Sequence, residues 1–235
     1  SSSPLEVMLR RLYQDAAGEE LNEFVYPVQE AGLTMSLQSH TSGFVLKVGG
    51  YSARMLDLLL EVVRRAQQVD ISEEAFAVIK ERLQRGLENR RFAQPINQSR
   101  YYQSLLVEQP TFTDEALLQA LGSVSLADVQ AYAKQVFQRV YLEGVAVGNL
   151  DPSAARQALR ALLDQLHATP LPAAERTREV VRDLKPEANL VYNQRLAVDN
   201  SVVQYYYQVG QTNPRLRGAM LLIGRPLGQS FYQEL

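Results

Sequence analysis

An α+β fold, with helices packed on one face of an antiparallel sheet, is predicted by three observations. The first is a strand–turn–strand pattern. Leu33, Met35 and Leu37 alternate with Thr34, Ser36 and Gln38, the two-residue period of a half-buried strand. His40-Thr41-Ser42-Gly43 is turn chemistry, and Phe44 to Val48 is a second strand closed by Gly49-Gly50. The second is the pair of amphipathic stretches on either side. Glu20 to Ala31 has helical spacing and is stopped by Gly32. Met55, Leu58, Leu59, Val62, Val63 and Ala66 form an inward stripe, with Asp57, Glu61, Arg64 and Arg65 on the outer face. The third is composition: 46% hydrophobic and 21% charged residues suit a packed core and not a disordered chain. A hairpin between two such helices buries its apolar side only by layering against them.

The remaining elements follow in order. Pro4 suits a first helical turn, and Leu5, Met8, Leu9 and Leu12 fall on one helical face, with a break expected near Gly18. Asp70 and Glu73 have the spacing of a capping box, with Ser72 as the rival cap, before a helix that turns Phe76, Ile79, Leu83 and Leu87 inward. Pro95 interrupts, and Arg100 to Leu106 resumes as helix. Further helices start after Thr113 and after Ser125, where Asp128 makes a weaker version of the box. Val140 to Val147 reads as a strand, and Asp151-Pro152 starts a helix through Leu166. Ala168 to Glu175, with Pro170 and Pro172, is the best linker. Leu190 to Arg195 and Val202 to Val209 read as strands, and Asn213-Pro214 opens a last helix. Val203, Tyr205, Tyr207 and Val209 should share one face of the second of these strands. The core is expected to include Leu12, Phe44, Leu46, Leu59, Val62, Ile79, Val145 and Val147.

The formal net charge of −2 gives no reason to expect nucleic acid or an anionic membrane as partner. No uninterrupted apolar run approaches the ~18 residues of a membrane span. Cysteine is absent, which removes disulfides and thiolate-ligated metals from these residues and fits periplasm and cytoplasm alike. The two histidines, His40 and His167, stand far apart and in neither H-x-x-E-H nor H-E-x-x-H spacing, so both read as turn or surface residues. No nucleophile elbow or phosphate-cradling glycine loop occurs. The most charged region holds Lys80, Arg82, Arg85, Arg90, Arg91 and Arg100 against Glu81 and Glu88. It reads as a solvated helix face with i,i+4 pairs, or as a basic wall in which Arg90 and Arg91 meet anionic ligands or acidic peptides. No residue is assigned a catalytic or metal-ligating role.

Several stretches carry a family resemblance. LNEFVYPVQEAGLTMSL (21–37), GFVLKVGGYSARMLDLLLEVV (43–63), FAVIKERLQRGLENRRFAQPINQSRYYQSLL (76–106), VYLEGVAVGNL (140–150) and LVYNQRLAVDNSVVQYYYQVG (190–210) together resemble the insulinase/pitrilysin family of zinc metallopeptidases. The resemblance covers nearly the whole chain in register. It implies an enzyme of four related α/β-roll domains in two bowl-shaped halves that close around a peptide chamber. The zinc motif belongs to the first domain, and this chain resembles the third domain and the start of the fourth. Zinc is therefore implied for the full-length enzyme and not for this segment. The implied partners are the N-terminal catalytic half and a peptide substrate. In the family, the run matching SFYQEL (230–235) precedes an arginine and a tyrosine that position substrate, and the sequence reaches neither.

On this reading residues 1–175 form a complete non-catalytic roll domain and residues 176–235 begin a second, truncated one. The unfinished sheet of the second roll is expected to self-associate or to stay partly disordered. Two alternatives stand beside the chamber role: a catalytically inactive assembly subunit of the same fold, and a peptidase specialised in a cofactor-precursor peptide.

Overall fold

Helix α1 (Pro4–Glu30) runs through the centre of the larger of two compact units. The structure, a computed structural model, describes residues 3–51, 54–185 and 189–234. Ser3 caps α1 by accepting a hydrogen bond from the Glu6 amide at 3.2 Å, and Pro4 occupies the first turn, where its missing N–H costs nothing. The expected break at Gly18 does not occur. Glycine in a helix costs roughly 0.5–1 kcal/mol relative to alanine, and burial of Ala16, Ala17 and Leu21 on either side outweighs it. The buried stripe is Met8, Leu12, Tyr13, Ala16, Ala17 and Leu21, with Leu9 partly buried and Leu5 turned to the exposed rim.

Gly32, at φ +74°, ends the first helix in the left-handed conformation that its position predicts. Strands β1 (Thr34–His40) and β2 (Gly43–Gly49) form the expected antiparallel hairpin, with Met35 opposite Val48 and Leu37 opposite Leu46. Its tip is the two-residue turn Thr41-Ser42 between the paired His40 and Gly43. Gly50 closes the unit for two reasons. Its φ is +133°, and a Cβ there would lie 2.7 Å from a Leu33 methyl and 2.8 Å from the Gly32 carbonyl oxygen. Helix α2 (Met55–Gln67) then covers the hairpin, placing Leu58 and Val62 with Leu21, Leu33, Met35 and Leu46.

Helix α3 (Glu73–Asn89) is capped by Ser72, whose hydroxyl accepts from the Ala75 amide at 3.1 Å, so the rival cap prevails over the Asp70–Glu73 box. A single 3₁₀ turn, Arg90–Phe92, leads into α4 (Pro95–Val107). Pro95 starts this helix where an interruption was expected, because proline at the first position forfeits no helical hydrogen bond. Strand β3 (Glu108–Gln109) is followed by α5 (Asp114–Ser123), capped by Thr113, and α6 (Leu126–Gln135). The Ser125–Asp128 box is complete, each residue bonding the other's backbone N–H at 3.2 and 2.8 Å. Helix α7 (Pro152–Leu166) begins as expected with Asp151 accepting from the Ser153 and Ala154 amides.

Three expected strands are not formed. Only Arg139–Val140 (β4) of the Val140–Val147 stretch is paired, in parallel with β5 (Thr169–Pro170). Val145 and Val147, expected in the core, are 92% and 89% exposed. Leu190–Arg195 and Val202–Val209 likewise join no ladder among the described residues. The reason is physical: alternation specifies two faces, but a strand exists only when a neighbour supplies its hydrogen bonds. The facing pattern itself survives, with Val203, Tyr205 and Tyr207 all more exposed than Val202 and Tyr206. The stretch Ala168 to Glu175 is more than a loose connection. Thr169 and Leu171 amides donate to the Gln138 and Val140 carbonyls at 2.8 Å each, and a 3₁₀ turn, Ala173–Glu175, follows.

Strand β6 (Val180–Val181) pairs antiparallel with β3. The larger unit comprises Ser1–Asp183 with Tyr192–Val202, and the smaller comprises Leu184–Val191 with Val203–Leu235. The smaller unit contains α8 (Pro214–Glu234), started by the Asn213 side chain, which accepts from the Leu216 amide at 2.9 Å.

The burial pattern makes stability testable. Ile79 is 1% exposed inside the main core. Ile79→Ala should cost about 2–5 kcal/mol in urea denaturation. Leu59 is only half-buried, so Leu59→Ala should cost less than Ile79→Ala. Val145→Ala should stay within about 0.5 kcal/mol of the parent.

Candidate functional site

The segment from Lys80 to Arg100 carries six of the chain's cations, and the structure sorts them by what they touch. Lys80 Nζ donates to the Gly122 and Val124 carbonyls at 3.2 and 2.6 Å, satisfying oxygens left over at the end of α5. Arg82 reaches back to Glu19 at 3.1 Å and Asp15 at 3.7 Å on the first helix. Arg85 pairs with Glu81 one turn earlier. Arg90 binds the Asp114 carboxylate at 2.7 Å and lies 5.5 Å from the centre of the Tyr101 ring.

Around Arg90 the groups interlock. The Asp114 amide donates to the Tyr101 hydroxyl at 2.8 Å. Burial raises the Asp114 carboxyl above its usual range, Arg90 and Arg11 oppose that rise, and Glu115 adds to it. Burial likewise raises Asp15, against the pull of Arg82 and Arg11. The Arg11 guanidinium is lowered, first by burial and then by Arg90. Four helical segments thus share one partly buried charge cluster. Its cations are matched by carboxylates of the same unit.

Arg91 and Arg100 differ. Arg91 is exposed, with its guanidinium 4.7 Å above the Phe92 ring centre. Its carbonyl, not its side chain, is used internally, accepting from the buried Gln98 amide at 2.9 Å. Arg100 is exposed and makes no ion pair or hydrogen bond among the described residues. The structure therefore separates the two arginines singled out from sequence: Arg90 has an internal carboxylate partner, and Arg91 has a neighbouring aromatic ring.

The histidines take backbone roles. His40 ends β1, and its carbonyl accepts from Arg10 at 2.6 Å. His167 caps α7 in the left-handed conformation, φ 51°. No three metal-ligating side chains gather among the described residues. Sequence reading missed Arg10 and Gln98, the two buried polar or charged residues among the described ones. The i,i+4 pairing of Glu6 with Arg10 was a visible signal for the first; nothing in the sequence marked the second.

Comparison with known proteins now bears on this arrangement. Residues 1–120 match the family model described as the middle or third domain of peptidase M16, and residues 123–235 match the peptidase M16 inactive domain. The chain belongs to the peptidase M16 family. Similar members include the insulin-degrading enzyme of Homo sapiens, 31% identical over 210 residues, with 87% of this chain and 21% of that protein covered. A nardilysin-like protein of Arabidopsis thaliana is 29% identical over 205 residues, covering 86% of this chain and 20% of that protein. The crystal structure of pitrilysin superposes with a TM-score of 0.64 at 19% identity, over 75% of this chain and 18% of that one, and shares the fold. The chain thus spans about a fifth of the curated M16 relatives it matches. The two M16 family models meet in the last turn of α5, between residues 120 and 123.

The charge cluster makes a titration prediction. A carboxyl raised by folding keeps its proton in the folded chain at pH values where the unfolded chain has lost it. The Asp114 contribution to stability should therefore fall as pH rises from its ordinary value of 3.8 through the raised folded value. Arg90→Gln removes the leading opposing charge, so carboxyl-carbon NMR should show Asp114 titrating at still higher pH. An unchanged or lowered midpoint would mean that Arg90 does not act on this carboxyl.

Proposed function

We propose that this chain is a non-catalytic segment of a zinc-dependent metalloendopeptidase, forming part of the wall that encloses peptide substrates. The observation that carries this reading is the pair of adjoining family models, a middle domain followed by an inactive domain, over nearly the whole sequence. Zinc and the hydrolytic residues would belong to an N-terminal catalytic half, which is also the partner this segment serves. The chemistry of the segment supports that division. Catalytic zinc takes three protein ligands and an open position, whereas this sequence holds two histidines far apart and no cysteine. What the segment supplies is enclosure, which holds a peptide against a distant centre.

Two measurements test the reading. The isolated chain should show no chelator-sensitive peptide hydrolysis. In the full-length protein, deletion of the residues of this chain should leave zinc bound while peptide hydrolysis falls by at least about tenfold. A deletion form that keeps full activity would overturn the enclosure role. A full-length protein that never hydrolyses peptides, with a degraded H-x-x-E-H motif upstream, would favour an assembly subunit of the same fold.

A further inference from the structure

The contacts of the basic segment leave a small, chemically distinct surface. Phe92 and Ile96 are 54% and 37% exposed, at the end of the 3₁₀ turn and the start of α4. Arg91 lies over the Phe92 ring. Arg100 follows Ile96 by four residues on α4, and positions four apart on a helix lie on one face. Two guanidiniums and two apolar side chains therefore fall within ten residues of chain. The nearby acids are occupied: Asp114 holds Arg90, Glu81 holds Arg85, and Glu88 accepts from Gln84 at 2.9 Å. Cations elsewhere on the segment are matched; these two are not.

We propose that Arg91, Phe92, Ile96 and Arg100 form a docking patch for an extended peptide carrying carboxylates beside an apolar side chain. Charge complementarity selects this occupant. An anionic segment meets two guanidiniums that have no carboxylate of their own among the described residues, and an apolar side chain covers Phe92 and Ile96. Guanidinium stacked on an aromatic ring keeps its edge free for bidentate contact with a carboxylate. The proposal deepens the chamber reading by naming a substrate class, and the binding itself belongs to this chain.

The test uses the 235-residue chain and a fluorescein-labelled peptide in which glutamates flank a leucine and a phenylalanine, read by fluorescence polarisation. Arg91→Gln with Arg100→Gln should weaken binding about tenfold, the product of two exposed charge contacts. Phe92→Ser with Ile96→Ser should weaken it about fivefold. Arg85→Gln, which removes a cation already paired with Glu81, should leave binding unchanged. Affinity should fall as salt rises from about 0.05 to about 0.5 M. The all-glutamine peptide should bind at least about fivefold more weakly. Circular dichroism confirms that each exposed-site variant is folded. No binding by the parent chain, equal binding of the glutamine peptide, or equal losses at Arg85 and at the Arg91–Arg100 pair would overturn the patch. A negative result here, with the deletion experiment above positive, rejects the patch and leaves the chamber role standing.

Discussion

The larger unit depends on what two adjacent turns of α1 do with Arg10 and Tyr13. Arg10 is 5% exposed, and a buried guanidinium is tolerable only if its donors are used. One terminal nitrogen donates to the His40 and Thr41 carbonyls at 2.6 and 2.7 Å, and the other reaches Glu6 at 3.1 Å. Those carbonyls are the tip of the hairpin. Gln14, one turn on, accepts from the Ser39 amide at 2.6 Å. Tyr13 works on the other side. Its hydroxyl donates to the Ala66 carbonyl at 2.5 Å, near the end of α2 where helical partners run out. Its ring meets Phe44, Tyr132 and Phe137 edge-on, and burial pushes its phenol well above the usual range. Hairpin, α2 and α6 are thus all referred to one helix.

The same economy governs the charged groups between α1, α3 and α5. Charged groups that might have formed a site are consumed in holding helices together. Arg82, Arg90 and Arg11 are set among Asp15, Glu19 and Asp114, and Lys80 closes the end of α5. Glu61, held by Arg64 and Arg65, has its carboxyl drawn down to about 2. Within the Lys80–Arg100 segment, the cations without a carboxylate partner among the described residues are Lys80, which is bonded to backbone carbonyls, and Arg91 and Arg100.

Much of the fold was legible because it is written in local chemistry. Thr113, Ser125 and Asp151 cap the helices they precede. Gly32 stops α1, and the alternation of Leu33 to Leu37 sets the hairpin with its paired leucines. Each signal acts within a few residues, where backbone geometry and one side-chain hydrogen bond decide the outcome. Gly18 and Pro95 misled for the converse reason. A residue's average preference is worth less than the packing of its neighbours or the particular turn it occupies.

What the sequence by itself determined is most of the helices, the hairpin, and the family to which the chain's patterns point. Those depend on periodicity and caps, which any short window contains. Tertiary structure alone decided which strands exist and which charges are free. Val145, Val147 and Tyr205 sit in patterns that look like strand yet stay unpaired among the described residues, because a ladder needs a partner that periodicity cannot supply. Arg90 and Arg91 are adjacent and chemically identical in the sequence. One is 2.7 Å from a carboxylate twenty-four residues away and the other lies on a phenyl ring, a difference created only when α5 folds back beside α3.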